Sequence, residues 1–240
     1  MLHIAMSYVN AKGWIMKKII ISIIAIFILS ILTLIINYIL VENSQSEISQ
    51  GKPILQTDPI TEALLVIDIQ EGITGKASTD DFFTSHSEML IKIVNHIIDS
   101  SSRYNVPIIY VKNEISNPLI NILNNSLAKG SPGAELDSRL KIASDYIINK
   151  DKADAFSNPI LDSILIKNGI NKLVFTGLDL AQCVNSTILA AVNRNYKICL
   201  ISDAVITKPD SLKNGILEKF RQSGFEIISS EEYIKRINYL

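Results

Sequence analysis

The feature that most constrains the fold is an uninterrupted apolar run over residues 63–67, Ala-Leu-Leu-Val-Ile, which leads directly into Asp68. A run without polar alternation is typical of a central parallel strand that is buried on both faces. Further short apolar runs occur at residues 106–111, 146–148, 173–175, 197–201 and 225–229. Apolar residues at helical spacing occur at residues 80–101, 159–168, 211–223 and 231–238. This alternation predicts an α/β fold, a doubly wound parallel sheet.

Three polar side chains lie at the carboxyl ends of different predicted strands, namely Asp68, Lys150 and Cys183. Because parallel strands all end at one edge of their sheet, we expect these side chains to converge there. A carboxylate can take a proton from a thiol, and a neighbouring ammonium group stabilises the resulting thiolate. The backbone N–H groups of the turn over residues 177–183 can receive a developing oxyanion. The pattern therefore predicts a site for covalent hydrolysis.

Cys183 has two interpretations. It stands where a short connection after Gly177 leads into a helical pattern, so the helix dipole should favour its thiolate and lower the pKa of the thiol. The alternative is that Cys183 is a small buried apolar residue. Asp68 likewise has an alternative, as a solvated residue at the end of its strand that caps the following loop. The residues by themselves leave both alternatives open.

Composition bounds the partners and cofactors. The formal net charge is −1 in 240 residues, which gives no indication of a nucleic-acid partner. The two cysteines, Cys183 and Cys199, are too few for a disulfide framework. The histidines, His3, His86 and His96, are scattered without metal-ligand spacing. We therefore predict no metal and no cofactor.

The amino-terminal region predicts a membrane anchor. Residues 19–41 contain no charge, and as a helix they would span about 35 Å, enough for a hydrocarbon core of about 30 Å. The run is longer than the apolar region of a cleaved signal peptide, and no small-residue cleavage site follows it, so we expect it to remain uncleaved. Met16 followed by two lysines would make a conventional start to such an anchor, and no function is inferred from residues 1–15.

The orientation follows from the flanking charges. Lys12, Lys17 and Lys18 precede the anchor, and the positive-inside rule places residues 1–18 in the cytoplasm and the rest of the chain outside it. Residues 42–61 are polar and contain prolines, which predicts a tether to a domain over residues 62–240. In this orientation a reactive thiol would be exposed to oxidation outside the cytoplasm. Insertion in the reverse orientation would keep the domain in the cytoplasm and remove this objection.

Four motifs, in this order, resemble those of the isochorismatase-like cysteine hydrolase superfamily, which includes nicotinamidases, N-carbamoylsarcosine amidohydrolase and isochorismatases. Residues 65–70 match apolar-apolar-apolar-D-x-Q, and residues 129–135 match K-G-x-x-G-A-E. Residues 150–156 match K-x-x-x-S-A-F, with Asp154 in the usual serine position. Residues 177–184 match G-x-x-x-x-x-C-V. The resemblance covers about residues 62–230.

The resemblance implies roles for the three strand-end residues. Cys183 would be the nucleophile, Asp68 the general base toward its thiol, and Lys150 the cation that holds the pair and lowers the pKa of the thiol. It also implies a cis peptide bond between Leu178 and Asp179, which would aim the N–H groups of Asp179 and Cys183 into an oxyanion hole.

The resemblance extends to the pocket and the architecture. Gln70 and Phe156 would line the pocket for a small-molecule substrate. The implied architecture is a three-layer α/β/α domain with a six-stranded parallel sheet in the order 3-2-1-4-5-6, often assembled as dimers or larger homo-oligomers. Here one transmembrane helix would precede it.

Departures from the family's patterns narrow the activity. Nicotinamidases of this family place D-x-H after the second strand, whereas residues 110–115 contain no histidine, which disfavours a metal-dependent nicotinamidase. Isochorismatases commonly lack the cysteine, so Cys183 favours hydrolysis of a C–N bond in a small amide or ureido compound. The alternatives are a vinyl-ether hydrolase of the isochorismatase type and a catalytically idle binding or assembly domain.

Overall fold

The computed structural model describes residues 2–239, with side chains described for residues 13–122 and 124–239. It divides into two units, of which the first ends at Asn43 and the second begins at Ser44. A single helix, α1 (Leu2–Gln45), accounts for the first unit. Its segment Gly13–Gln45 is long and apolar enough to cross a membrane, and a signal sequence near the amino terminus meets the same criteria. The predicted span, residues 19–41, lies within this segment.

The second unit contains six strands, β1 (Glu62–Ile67), β2 (Ile108–Asn113), β3 (Ile147–Lys150), β4 (Lys172–Gly177), β5 (Lys197–Val205) and β6 (Glu226–Ile228). All neighbouring strands pair in parallel, in the order β3-β2-β1-β4-β5-β6. The predicted fold class and strand order are therefore confirmed. The helices are α2 (Asp81–Arg103), α3 (Pro118–Leu123), α4 (Pro159–Lys167), α5 (Asn185–Asn193), α6 (Leu212–Gln222) and α7 (Ser230–Ile237).

The sheet is the middle of three layers. Every residue of β1 is buried, as its uninterrupted apolar sequence predicts. On one face, Val94 of α2 and Tyr233 of α7 belong to one hydrophobic cluster. On the other face, Leu161 of α4, Ile188 of α5 and Phe220 of α6 belong to a second. The helices thus cover both faces and leave the carboxyl ends of the strands as the edge on which a site can be built.

Local sequence signals set several helix boundaries. The Asp80 carboxylate accepts a hydrogen bond from the Phe82 N–H (2.9 Å), so Asp80 caps α2 as its position predicts. Gly169 follows α4 with a φ of 62°, a conformation that favours glycine. Ser229 and Glu232 form a reciprocal capping box at the start of α7.

Part of the segment that was predicted to be a tether packs on the domain. Ile48 and Ile54 pack against the hydrophobic cluster that contains α4 and α5. The Ile54 N–H donates to the Arg194 carbonyl (2.9 Å), and Asn171 Nδ2 donates to the Thr57 carbonyl (2.7 Å). Although its composition is polar, two isoleucines and these hydrogen bonds attach the segment to the domain.

Candidate active site

The three residues that sequence analysis singled out lie at the carboxyl edge of the sheet. Asp68 follows the last residue of β1 and has a positive φ of 56°. Lys150 is the last residue of β3, and Cys183 lies in a single π-type turn, Leu180–Val184, between β4 and α5. Such turns occur often at functional sites. The strand order places β1 between β4 and β2, with β3 beyond β2, so Lys150 must reach across β2 toward the other two.

Lys150 contacts both of the other residues. Its Nζ lies 2.9 Å from Asp68 Oδ2 and 3.3 Å from Cys183 Sγ. The Lys150 side chain is fully buried, and that of Asp68 is 3% exposed. Among the described residues, none donates a hydrogen bond to Asp68 Oδ1, which is also buried. The structure therefore brings a partly buried thiol together with a buried cation and a buried carboxylate.

The electrostatics of this cluster differ from what the sequence predicts. Burial raises the pKa of the Cys183 thiol to about 12, and the negative charge of Asp68 acts in the same direction. The ammonium of Lys150 opposes these effects without overcoming them. The expectation of a lowered thiol pKa is therefore wrong. The charge of Lys150 is shared between Asp68 and the sulfur, so it lowers the pKa of the thiol less than burial and Asp68 together raise it.

Lys150 itself stays charged. Burial acts to lower the pKa of its ammonium, but the negative charge of Asp68 and the hydrogen bonds to Asp68 and Cys183 raise that pKa above the ordinary value for lysine. The resting cluster is therefore an ion pair between Lys150 and Asp68 beside a neutral thiol. A thiol of this kind needs a base at the moment it attacks.

The turn before Cys183 is fixed by the backbone. Gly177 has a φ of 109°, and a Cβ at this position would overlap the Ile67 carbonyl oxygen, so only glycine fits. The Leu178 N–H donates to that same carbonyl (3.1 Å). The peptide bond between Leu178 and Asp179 is cis. Leu178 and Asp179 therefore lie in a turn that is anchored on β1, next to Asp68.

The Asp179 carboxylate is occupied within this turn. It accepts hydrogen bonds from the Ala181 N–H (2.8 Å) and the Lys208 N–H (3.2 Å). A side chain that caps the turn in this way stabilises the conformation that carries Cys183.

Thr187 is a residue of this region that sequence analysis missed. Its Oγ1 donates to the Cys183 carbonyl (2.7 Å) and accepts from the Ala155 N–H (3.1 Å). It thereby links the turn that carries Cys183 to the loop that follows Lys150. The available signal was its position four residues after Cys183 in a helical pattern, where a threonine hydroxyl can reach back to a carbonyl.

Gln70 was predicted to line the substrate pocket, but its amide is engaged elsewhere. The side chain is fully buried. Its Oε1 accepts from the Asn113 N–H (2.7 Å), and its Nε2 donates to the carbonyls of Asn113 (2.9 Å) and Ala134 (2.7 Å). Gln70 therefore fixes the end of β2 and the loop around Ala134, and it holds Asn113 by both backbone polar groups.

Asn113 is the second residue that sequence analysis missed. It pairs in register with Lys150 on the neighbouring strand, so the two side chains leave the same face of the sheet. Its Oδ1 is buried and has no hydrogen-bond partner among the described residues. A buried acceptor of this kind beside a catalytic cluster is a candidate for contact with a substrate.

Phe156 was also predicted to line the pocket, and the structure places it in the core. It is 3% exposed. Its ring lies 4.4 Å from the Arg194 guanidinium and 5.9 Å from the Tyr196 ring. The polar cavity that it borders, of about 380 Å³, is lined by Ser49 and Gln50 among others and not by Asp68, Lys150 or Cys183. The motif identifies the residue at this position but does not indicate whether its ring faces a pocket or the core.

A different cavity, of about 290 Å³, adjoins Lys150. It is lined by polar and charged residues that include Glu114, Lys129 and Asn149. Its size suits a small molecule, near the lower end of the range for ligand sites. Within the part of the chain that the structure describes, no group of three or more His, Cys, Asp or Glu side chains could hold a metal ion.

The parallel three-layer fold and the cluster of Asp68, Lys150 and Cys183 at its strand edge are typical of an α/β enzyme, and comparisons with known proteins assign the family. The model of the Isochorismatase domain matches residues 62–232, and the chain belongs to this family. The resemblance predicted from the four motifs is therefore confirmed.

Individual relatives agree with this assignment. The ureidoacrylate amidohydrolase RutB of Acinetobacter baylyi is 27% identical over 62% of this chain and 72% of its own length. The solved N-carbamoylsarcosine amidase of Thermoplasma acidophilum is 29% identical, with a TM-score of 0.61 over 71% of this chain and 97% of its own. A protein of Arabidopsis thaliana named as a probable inactive nicotinamidase is 29% identical over 45% of this chain and 57% of its own length. These relationships support a hydrolase of the amidase type.

Proposed function

We propose that this protein is a membrane-anchored cysteine hydrolase that cleaves a C–N bond in a small amide or ureido compound. The observation that carries the proposal is the position of Lys150 Nζ, within 2.9 Å of Asp68 Oδ2 and 3.3 Å of Cys183 Sγ. The names of the relatives, an ureidoacrylate amidohydrolase and an N-carbamoylsarcosine amidase, support a substrate with a carbamoyl or amide group.

The first half of the reaction acylates the cysteine. Asp68 takes the thiol proton while Sγ attacks the substrate carbonyl carbon and a C–S bond forms. The backbone N–H groups of Asp179 and Cys183 would receive the resulting oxyanion. Proton transfer accompanies attack because the pKa of the resting thiol is raised to about 12. Lys150 stays charged throughout and balances whichever of Asp68 and Cys183 carries the negative charge.

The second half releases the products. The oxyanion collapses, the C–N bond breaks, and the leaving nitrogen takes the proton from Asp68. Water then attacks the acyl group on sulfur, Asp68 accepts a proton from that water, and the C–S bond breaks as the proton returns to Cys183. A ureido substrate yields an amine and a carbamate, which decomposes to ammonia and carbon dioxide, whereas a primary amide yields ammonia and an acid.

Asn113 supports a nitrogen-containing substrate over a vinyl ether. Among the residues that the structure describes, none donates a hydrogen bond to its buried Oδ1, and an unsatisfied buried acceptor costs about 1–3 kcal/mol. The N–H groups of a carbamoyl or amide substrate can satisfy it, whereas the scissile group of a vinyl ether has no N–H to offer. The presence of Cys183 favours the same choice.

Ammonia release from a panel of substrates tests the proposal. The panel contains ureidoacrylate, N-carbamoylsarcosine and nicotinamide, with isochorismate followed separately by loss of its vinyl ether. We expect ammonia from at least one ureido compound, at least a 10³-fold loss of kcat in Cys183→Ala, and unchanged kcat in the matched variant Cys199→Ala. Turnover of isochorismate alone would favour the vinyl-ether reading. If no compound is turned over, the idle-domain reading replaces ours.

The membrane anchor rests on α1. Its segment Gly13–Gln45 meets the length and composition of a membrane span, and the lysines at positions 12, 17 and 18 precede the uncharged run. We place these lysines in the cytoplasm and the hydrolase domain on the opposite side. The full chain should stay with membranes after alkaline carbonate washing and retain residues 19–41 by mass spectrometry. Added protease should degrade the domain in spheroplasts, and protection there would reverse the orientation.

A further inference from the structure

The segment over residues 47–57, which we call the strap, contacts the loop that follows Lys150. The Ser49 N–H donates to Asp154 Oδ2 (2.9 Å), and Lys152 Nζ lies 3.3 Å from Glu47 Oε2. Asp154 and Lys152 belong to the loop over residues 151–157, which starts directly after the catalytic lysine. The strap therefore reaches the neighbourhood of the active site although it lies far from Lys150 in sequence.

Arg194 fastens the strap from the other side. It is 3% exposed, and its Nη1 and Nη2 donate to the carbonyls of Ser49 and Gln50, both at 3.1 Å. Its Nε donates to Asp162 (2.8 Å). A Cβ on Gly51 would overlap the Arg194 side chain, so the strap lies directly against it. A buried arginine with this many partners is held in one position.

Asp154 joins the strap to the loop. Its side chain is fully buried, and its Oδ1 accepts from the Phe156 N–H (2.8 Å) while its Oδ2 accepts from the Ser49 N–H. The carboxylate offers two separate acceptor atoms, whereas the serine that the family motif usually carries here offers a single oxygen. This departure from the motif is thus matched by a partner in the strap.

The hydrogen bonds continue from Asp154 to the nucleophile. The next residue, Ala155, donates its N–H to Thr187 Oγ1, which in turn donates to the Cys183 carbonyl. In the other direction along the loop, three residues separate Asp154 from Lys150. Displacement of Asp154 can therefore change the position of Cys183 relative to Lys150, whose separation is 3.3 Å.

We propose that the strap is a positioning element of the active site, which acts through Asp154 on Lys150 and on the backbone of Cys183. The inference rests on the proposed function, since it assigns the strap to the same reaction. It also means that the segment between the membrane helix and the sheet is needed for turnover as well as for attachment. None of the strap residues contacts the substrate in this account.

Two variants of the full chain in detergent micelles test the proposal. Asp154→Ser leaves an oxygen for the Phe156 N–H but removes the acceptor for Ser49. Gly51→Ala displaces the strap from Arg194 and leaves the loop unchanged in sequence. Gly215→Ala, on α6, is the matched control because a Cβ there meets nothing within 4 Å.

We expect kcat to fall at least tenfold in both strap variants, with KM within twofold of the wild type. Iodoacetamide should label Cys183 at least threefold faster at pH 8, because a loosened loop increases the access of water and reagent to this partly buried thiol. Buried Cys199 should stay unlabelled, which shows that the fold is intact. The control should match the wild type in every measurement.

The proposal is overturned if kcat and the labelling rate of Cys183 both remain within twofold of the wild type in Asp154→Ser. It is equally overturned if Cys199 becomes labelled in parallel with Cys183 in both variants, because the strap would then only stabilise the fold. If the wild type releases no ammonia from any substrate, the proposed function fails, yet the labelling comparison still decides whether the strap positions Cys183.

Discussion

Replacement of Asp68 by asparagine should make Cys183 easier to alkylate while it abolishes hydrolysis. Asp68 acts on the thiol in two ways. Its negative charge raises the pKa of the resting thiol, and in the proposed reaction its carboxylate removes the proton during attack. Asparagine supplies neither the charge nor the base, and it leaves the Lys150 ammonium beside the sulfur. The two readouts should therefore move in opposite directions.

The size of the change follows from the pKa of Cys183, which is about 12. At pH 8 such a thiol forms about 2,000-fold less thiolate than a free cysteine of pKa about 8.5, and the greater nucleophilicity of the more basic thiolate returns a factor of about 40. Cys183 should thus react about 50-fold more slowly than a free thiol. Removal of one adjacent negative charge should restore a factor of about 4 to 40 in that rate.

The assay is iodoacetamide labelling of the full chain at pH 8, with each cysteine followed by mass spectrometry. Cys199 is the internal control, because it is fully buried and burial also raises the pKa of its thiol to about 12. Hydrolysis by Asp68→Asn should fall about 10²- to 10⁴-fold. If Cys183 is labelled no faster in Asp68→Asn than in the wild type, the carboxylate does not hold the proton on sulfur and the reasoning fails.

Three further predictions concern stability, each read as a free energy of unfolding from denaturant titrations followed by circular dichroism. Lys150→Met should cost about 3–5 kcal/mol because Asp68 is left buried and unpaired. Adding Asp68→Asn to this variant should recover about 1–3 kcal/mol of that loss. Strictly additive effects of the two substitutions would contradict the ion pair. Burial alone would raise the pKa of Asp137, but hydrogen bonds from Arg139 and Thr74 outweigh it and lower that pKa below 3.8. The contribution of Asp137 to the free energy of unfolding is therefore present above about pH 4. It is lost as the pH falls through the lowered pKa of the folded state. Asp137→Asn should therefore cost about 2 kcal/mol at pH 7, with a difference from the wild type that shrinks below pH 4; a constant difference would refute this. Gly177→Ala should cost more than about 3 kcal/mol through its positive φ and the overlap with the Ile67 carbonyl, while Gly215→Ala should change stability by no more than about 1 kcal/mol in the favourable direction.

The sheet and its edge could be predicted because their signals are local. The uninterrupted apolar run before Asp68 can be buried on both faces only in the centre of a parallel sheet, and β1 does lie there. Because all strands of such a sheet end at one edge, polar residues after separate runs come together, as Lys150 does with Asp68 and Cys183. These conclusions need the order of elements along the chain and little else.

The features that sequence analysis missed depend on contacts between distant residues. The pKa of Cys183 is set by burial and by two neighbouring charges, and burial together with the charge of Asp68 outweighs that of Lys150. Gln70 could equally face a substrate or the backbone of Asn113, and its sequence position does not distinguish these uses. The polar strap looks like a solvated linker until Asp154 and Arg194, which are 105 and 145 positions from Ser49, are placed beside it.

The most direct test of the central claim is to look for the covalent intermediate on Cys183. The full chain would be mixed with the ureido substrate that it turns over, quenched in acid within one turnover, and its peptides weighed by mass spectrometry. We predict a carbamoyl group on Cys183, none on Cys199, and none on either residue in Asp68→Asn. Ammonia release without any adduct on Cys183, together with retained activity in Cys183→Ala, would contradict nucleophilic catalysis by this cysteine.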